Sequence, residues 1–442
     1  MLPGRPFAVL FGVAMVACGS EPRTSGRALG RGMGEHSAPS ARPAGAEDGA
    51  PEPALARDPD ASRPPVSTEA AEPSTPERQP SDPWSSFSRA AGAVLGSNRG
   101  AVVRVAHLGD SHTASDALTG RLRRLLQDGL GDAGHGFVVP GWEASRLHRG
   151  IRLLASGGWT VDRVKYLPAL DVGDRLFGLG AASVRSAAAG ESFQVLARAS
   201  VFDLYYLGAP GGGSFELRVD DGPAERVSTK ADSSGAKFHR VEVPDGEHRL
   251  GVELVGDGEV RFFGVEIERP GPGIVYSSLG VGGARVTTPL EWDEDLFARQ
   301  LERMRPDLVV MMYGTNDMYA DDFSTPGFVA NLERLVARIH AAVPAASCLV
   351  LAPPDVARRA QSGQLASIPE LIGLVEAERA AAARAGCAFW DTLADMGGPG
   401  SIIEWHRQRP RLAARDHVHL TALGYERLAA PIAAELLRRA SR

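Results

Sequence analysis

The chain of 442 residues is 43% hydrophobic with a net charge of −6, enough apolar content to bury one large core or two separate ones. Lys and Arg are nowhere gathered into a block, which argues against a nucleic-acid partner, because phosphate neutralisation needs clustered cations. No H-E-x-x-H, paired-cysteine motif or acidic calcium loop occurs, so neither a metal nor any other cofactor is expected.

At the N-terminus, Arg5 precedes an apolar run from Phe7 to Ala17. The run is too short to span a bilayer comfortably and has the length of a signal-peptide core. It ends in MVACGS, where Ala17 directly before Cys18 resembles the lipobox of bacterial lipoproteins. Residues 1–18 are therefore read as a lipoprotein signal with Cys18 as the lipid attachment site. This predicts a periplasmic chain tethered to a membrane without spanning it. A plain secretory signal with an incidental cysteine is the alternative. Residues 19–83 are dominated by Pro, Ala, Ser, Glu, Arg and Gly and read as a disordered linker, since they cannot bury enough surface to offset their ordering entropy.

From Ala101 the pattern alternates strand and helix. AVVRVAHL reads as a buried strand and DALTGRLRRLLQDGL as an amphipathic helix. Between them, HLGDSHTASD places Gly109, Asp110, Ser111 and His112 at the carboxyl end of the strand. There a serine hydroxyl is exposed and its N–H points into the crevice where α/β proteins bind ligands. Chance supplies a G-D-S triplet in roughly one chain in ten of this length, so position carries the signal. His112 is expected to be a turn residue rather than a base, because its side chain should diverge from that of Ser111.

Residues 142–270 have a different texture. SFQVLARA, FDLYYLG, SFELRVDDG, FHRVEVPDGEHRLGVELVGDG and EVRFFGVEIE alternate apolar and polar positions between turn residues. They predict an antiparallel β-sandwich inserted into the α/β domain. Of Tyr205, Tyr206, Phe262 and Phe263, most are expected in its core, with any remainder on a sugar-stacking surface.

Then GIVYSSLG, DLVVMMYG, SCLVLAPP and CAFWD follow, separated by helix-like segments. With the first strand they predict a doubly wound parallel five-stranded sheet formed by residues 84–141 and 271–442. Cys348 and Cys387 open two of these strands. If the strands are neighbours, the thiols start side by side and an exported compartment permits a disulfide; two buried free thiols are the other reading. SSLGVGGARV offers glycine N–H donors, and MMYGTNDM sets Gly314, Thr315, Asn316 and Asp317 at a strand end, where the Asn316 amide can donate to a developing oxyanion. Trp405 and His406 either line the crevice or pack a loop. The tail ARDHVHLTALGYERLA offers Asp416 and His419 as the orienting acid and base that a serine nucleophile needs. His417 is the alternative base.

In this order on one framework, these residues resemble the SGNH hydrolases, or GDSL-like esterases, whose four name residues map to Ser111, Gly283, Asn316 and His419. Gly283 is preferred to Gly280 and Gly282 because family members commonly carry this glycine before a small residue, here Ala284. No G-x-S-x-G occurs, so the α/β-hydrolase elbow does not compete. LGDSHTASD, GIVYSSLGVGGA, LAPPD and the segment WDTLADMGGPGSIIEWHRQRPRLAARDHVHLTALGY are similar to the bacterial peptidoglycan O-acetylesterases, which carry a carbohydrate-binding-module-like jelly roll inserted after the GDS segment. The resemblance implies a flavodoxin-like sheet, an acetylated glycan substrate and an acetyl-serine intermediate. It also implies a catalytic triad of Ser111, Asp416 and His419, with an oxyanion hole of Ser111, Gly283 and Asn316. The alternatives are an O-acetyltransferase or an acetyl-esterase for another polysaccharide and, in another class, a non-catalytic glycan-binding lipoprotein.

Overall fold

A computed structural model describes residues 82–96, 98–141, 148–163, 174–360 and 362–441. Cys18, the signal and nearly all of the linker lie outside them. In chain order the first elements are α1 (Ser85–Leu95), β1 (Val102–Gly109), α2 (Thr119–Leu130), β2 (Gly136–Val138), β3 (Ile151–Ala155), β4 (Thr160–Arg163), β5 (Ala182–Ser186), β6 (Ser192–Gly208), β7 (Ser214–Val219), β8 (Glu225–Ser228), β9 (Gly235–Leu254) and β10 (Val260–Glu268). There follow β11 (Gly273–Gly280), α3 (Glu294–Met304), β12 (Leu308–Met312), α4 (Thr325–Ala342), β13 (Ser347–Leu351), β14 (Ala357–Arg359), β15 (Leu365–Ser367), α5 (Glu370–Arg384), β16 (Ala388–Trp390), α6 (Thr392–Met396), α7 (Ser401–Arg407) and α8 (Ala422–Ala440).

The expected five-stranded parallel sheet runs in the order β11-β1-β12-β13-β16. Its strands are apolar on both faces, as a covered parallel sheet requires. Val103 and Val105 of β1 and Leu308, Val310 and Met312 of β12 pack with α1, α2 and α8. The alternate residues Ala106, Leu108, Val309 and Met311 join the opposite core with α3, α4 and α5. Strand order reverses at β1, which lies between β11 and β12, so the crevice where such sheets bind ligands opens at the carboxyl end of β1.

The antiparallel insert holds its strands in one nine-stranded hydrogen-bonded network, β4-β5-β10-β6-β9-β7-β8, with β2 on β10 and β3 on β6. Its first strand, β2, lies ahead of residue 142, where the sequence pattern places the start. β6 and β9 pair along almost their whole lengths, broken by a register shift between Ala199 and Val201. The Pro-Asp-Gly of β9 thus sits at a bulge rather than in a hairpin turn, the site in a sheet that tolerates a missing N–H. Tyr205, Tyr206, Phe262 and Phe263 are all buried.

Register between β13 and β16 pairs Leu349 with Ala388, which brings Cys348 beside Cys387. The two form a disulfide with their Cα atoms 4.7 Å apart.

Candidate active site

β1 ends in a tight turn because the chain is held on both sides. The Asp110 N–H donates to the Met312 carbonyl (3.2 Å) and the Asp110 carbonyl accepts from Thr113 and Ala114, while the Asp110 carboxylate accepts from the His112 N–H (2.9 Å). Gly109 fits only as glycine, since a Cβ would run into the Thr113 side chain and come within 2.8 Å of the Met312 carbonyl oxygen. Ser111 emerges half-buried at the top of this turn.

The loop before α8 approaches from the other side. One Asp416 oxygen accepts the backbone N–H groups of Val418 and His419, both at 3.0 Å, and the other lies 2.7 Å from His419 Nδ1. His419 Nε2 is 2.8 Å from Ser111 Oγ. A carboxylate only accepts, so Nδ1 carries the ring proton and Nε2 of the neutral imidazole is free to accept from the serine hydroxyl. Burial works to raise the Asp416 pKa, but the bonds from the His419 ring and the two amides hold it well below the usual carboxylate range. The same side-chain bond raises the His419 pKa against its partial burial, and the charge of Asp110 acts in the same direction. This is the geometry of a serine nucleophile, a general base and an orienting acid.

His417, the alternative base, takes a left-handed backbone (φ +56°) and turns its ring onto His406 at 4.5 Å between centroids. His112 is fully buried with Nδ1 3.1 Å from the Tyr425 hydroxyl, and its ring centroid lies 5.5 Å from that of His419. Burial and then the His419 charge push its pKa down to about 3, so it forms a neutral wall behind the base. Trp405 is buried, and His406 Nδ1 lies 2.9 Å from the Ala414 carbonyl, so these two support the loop.

The residues expected to serve as oxyanion donors stand just past the two strands flanking β1. Asn316 follows β12, and its Nδ2 donates to the Ala284 carbonyl at 3.0 Å. That acceptor fixes which end of the amide is the NH2 and leaves the second N–H to give. Gly283 follows β11 with φ +82°. Of its neighbours, Gly280 is packed against Thr113 and Ala114, whereas a Cβ on Gly282 would meet open space. The two loops are joined by Asp317, to which the sequence pattern of MMYGTNDM assigns no role. Its carboxylate accepts from Val286 N–H (3.1 Å) and Gly314 N–H (3.1 Å), tying the glycine loop to the asparagine turn. Burial pushes Asp317 up to about 6 and Asp110 up to about 7, each against the hydrogen bonds it accepts.

Two groups of metal-ligating side chains occur among the described residues. Cys348 and Cys387 of one are joined to each other. In the other, Asp116, His135 and His148 are already engaged. Arg123 grips both Asp116 oxygens at 2.9 and 2.8 Å, and the two imidazoles meet at 2.9 Å. Both Asp116 oxygens are therefore hydrogen-bonded to the Arg123 guanidinium.

The sequence model of the GDSL-like Lipase/Acylhydrolase family matches residues 251–427. That span includes Gly283, Asn316, Asp416 and His419 but not Ser111, which joins them through its 2.8 Å approach to His419. A search of curated proteins finds no match. Among solved structures, a peptidoglycan O-acetylesterase is 26% identical with a TM-score of 0.66, covering 81% of this chain and 97% of that one. A family two carbohydrate esterase from Clostridium thermocellum is 13% identical with a TM-score of 0.27, covering 64% of this chain and 97% of that one. An acetyl xylan esterase is 16% identical with a TM-score of 0.28, covering 37% and 80%.

Proposed function

We propose that the chain is a GDSL-like, or SGNH, hydrolase and, within that class, a serine esterase removing O-acetyl groups from a cell-wall glycan, most specifically peptidoglycan. The observation that carries this reading is the continuous Asp416–His419–Ser111 relay at 2.7 and 2.8 Å.

In this reading His419 Nε2 takes the hydroxyl proton as Ser111 Oγ bonds to the acetyl carbonyl carbon. The carbonyl electrons move onto oxygen, where the N–H groups of Ser111 and Gly283 and the free N–H of Asn316 receive them. Collapse expels the sugar oxygen, which takes the proton from His419, and leaves acetyl-Ser111. Water, deprotonated by His419, then releases acetate and restores the serine. Asp416 keeps the imidazole in the required tautomer and stabilises its cation.

The glycan assignment is supported by the solved peptidoglycan O-acetylesterase at TM-score 0.66. Export, with anchoring through Cys18, is supported by the apolar run before it and by the Cys348–Cys387 disulfide, which suits an oxidising compartment. Retained palmitate labelling in a Cys18→Ser variant would refute the anchor.

The test of the chemistry compares the wild type with Ser111→Ala on p-nitrophenyl acetate and on O-acetylated peptidoglycan. Loss of acetate release by at least about a thousandfold is expected for the variant on both. Equal release by the two proteins sinks the serine mechanism, and activity confined to the small ester removes the glycan.

A further inference from the structure

Three carboxylates of the insert stand together where it meets the α/β domain. Glu266 of β10 is paired across the sheet with Asp203 of β6, and Glu268 follows two positions on, on the same face. The α/β domain meets them with two cations. Arg104, near the amino end of β1, donates to both Glu268 oxygens at 2.7 and 3.1 Å, and Arg303 of α3 donates to both Asp203 oxygens at 2.7 and 3.0 Å. Glu266, the neighbour of both acids, receives no guanidinium. It is 3% exposed; its Oε2 accepts from the Tyr205 hydroxyl at 2.8 Å and its Oε1 has no partner. Burial and then the charge of Glu268 push its pKa up to about 8, so near pH 7 it stays neutral until a cation reaches it.

Glu266 lines a cavity of about 260 Å³ together with Asp203, Glu268 and Arg303, and the exposed Arg240, Glu302 and Arg305 form its rim. The space is smaller than the roughly 300 Å³ at which sites for drug-sized ligands begin, so its ligand is small. Every lining side chain is charged, which excludes an apolar ligand, and both signs are present, which disfavours a simple ion. Among the described residues these carboxylates do not gather into a group that could hold a metal. On the rim, Arg240 bonds Glu242 of its own strand at 2.8 Å and approaches Glu268 only to 4.0 Å, while Glu302 meets Arg299 at 3.4 Å. Arg305, the left-handed residue that ends α3 (φ +50°), makes no ion pair among the described residues. An unpartnered carboxyl oxygen inside and an unpaired guanidinium on the rim match a ligand that carries a cation and an anion at once.

We propose that this cavity binds a small zwitterion, an α-amino acid group whose ammonium takes Glu266 and whose carboxylate takes Arg305. The group comes either from a free amino acid or from the far end of a diamino acid held in a peptide. The cavity lies by the amino ends of β1 and β12, whereas Ser111 stands past the carboxyl end of β1, so the site is separate from the esterase chemistry and does not depend on it. Because Glu266 is neutral in the empty cavity, the arriving ammonium ionises it and its proton passes to solvent.

Isothermal titration calorimetry of the full chain compares alanine, ethylamine, propionate and a tripeptide whose last residue is meso-diaminopimelate. Alanine or the tripeptide binds at least about tenfold more tightly than ethylamine or propionate, and whichever of the two binds identifies the source of the zwitterion. Titrations in buffers of different ionisation heat show about one proton released per ligand at pH 7 and far less at pH 9. Glu266→Gln, which keeps an acceptor for Tyr205, and Arg305→Asn, which tolerates the left-handed backbone, each weaken binding about tenfold or more. Arg305 is exposed, so its variant keeps the fold even where the buried one does not. A wild type that binds neither zwitterion overturns the site. So does binding without proton release at pH 7, or an affinity unmoved in either folded variant. Equal affinity for alanine, ethylamine and propionate overturns the zwitterion as its ligand.

Discussion

In the proposed reaction His419 must be neutral to take the proton of Ser111, so its pKa sets the acid limb. The bond to Asp416 raises that pKa above the ordinary 6.5. As pH falls through the raised value, kcat/KM on p-nitrophenyl acetate should drop about tenfold per pH unit, starting above 6.5 rather than at it. In Asp416→Asn the charge and the second acceptor are lost, so the limb moves to lower pH while kcat falls on the order of a thousandfold or more, because the tautomer is no longer held. A pH–rate profile of both proteins with an unmoved limb would contradict the pairing. Ser111, Asn316, Asp416 and His419 are legible in the sequence because each stands beside a strand or helix boundary that periodicity reveals. Asp110 and Asp317 stand next to those residues and are not legible in the same way. What distinguishes them, their burial, is imposed by residues far away in the chain.

The segment linking Ser111 to α2 is fixed from behind by one buried ion pair. Asp116 has a left-handed backbone (φ +58°) and is 3% exposed. Arg123, one turn into α2, holds both of its oxygens, and the Arg149 N–H at the start of the insert donates to it as well (3.3 Å). Burial alone would raise the Asp116 pKa, but Arg123 and then His148 hold it far below the usual range. The pair therefore contributes stability above the ordinary carboxylate pKa, lost only in strong acid. Arg123→Met leaves a buried carboxylate without its cation, at a cost of about 3–5 kcal/mol near neutral pH. Its folded-state pKa then lies above the unfolded one, so the penalty grows as pH rises and shrinks as pH falls. Thermal melts should show a larger gap between variant and wild type at pH 7 than at pH 4; a gap independent of pH would mean the lost energy is packing. The helical spacing of DALTGRLRRLLQDGL predicts α2, yet it gives no hint that Arg123 turns inward, because an arginine at that position ordinarily faces solvent.

At the scale of the whole molecule, the insert divides the α/β domain between two stretches of chain, so that Ser111 stands far ahead of the family match, which itself begins within β9 of the insert at 251. The insert was visible as a change from period 3.6 to period 2, but β2 was not, since a three-residue strand has no period to read. The far edge of the parallel sheet poses a different problem. β16 is a three-residue edge strand that pairs with β13 at only three positions, a short ladder for an element that carries α6 and α7 behind it. The Cys348–Cys387 bond, closing a separation of 39 residues, ties that edge to the sheet and removes about 4 kcal/mol of chain entropy from the unfolded state. Reduction, or Cys348→Ala/Cys387→Ala, should lower the melting temperature by roughly 5 °C in a cooperative unit of this size. Hydrolysis of p-nitrophenyl acetate at 25 °C should be unchanged, because the bond joins the amino ends of β13 and β16 and the reacting groups stand past the carboxyl ends of β1, β11 and β12. A loss of activity without a loss of stability would mean that the edge strand positions the site, and that the two ends of this sheet are mechanically coupled.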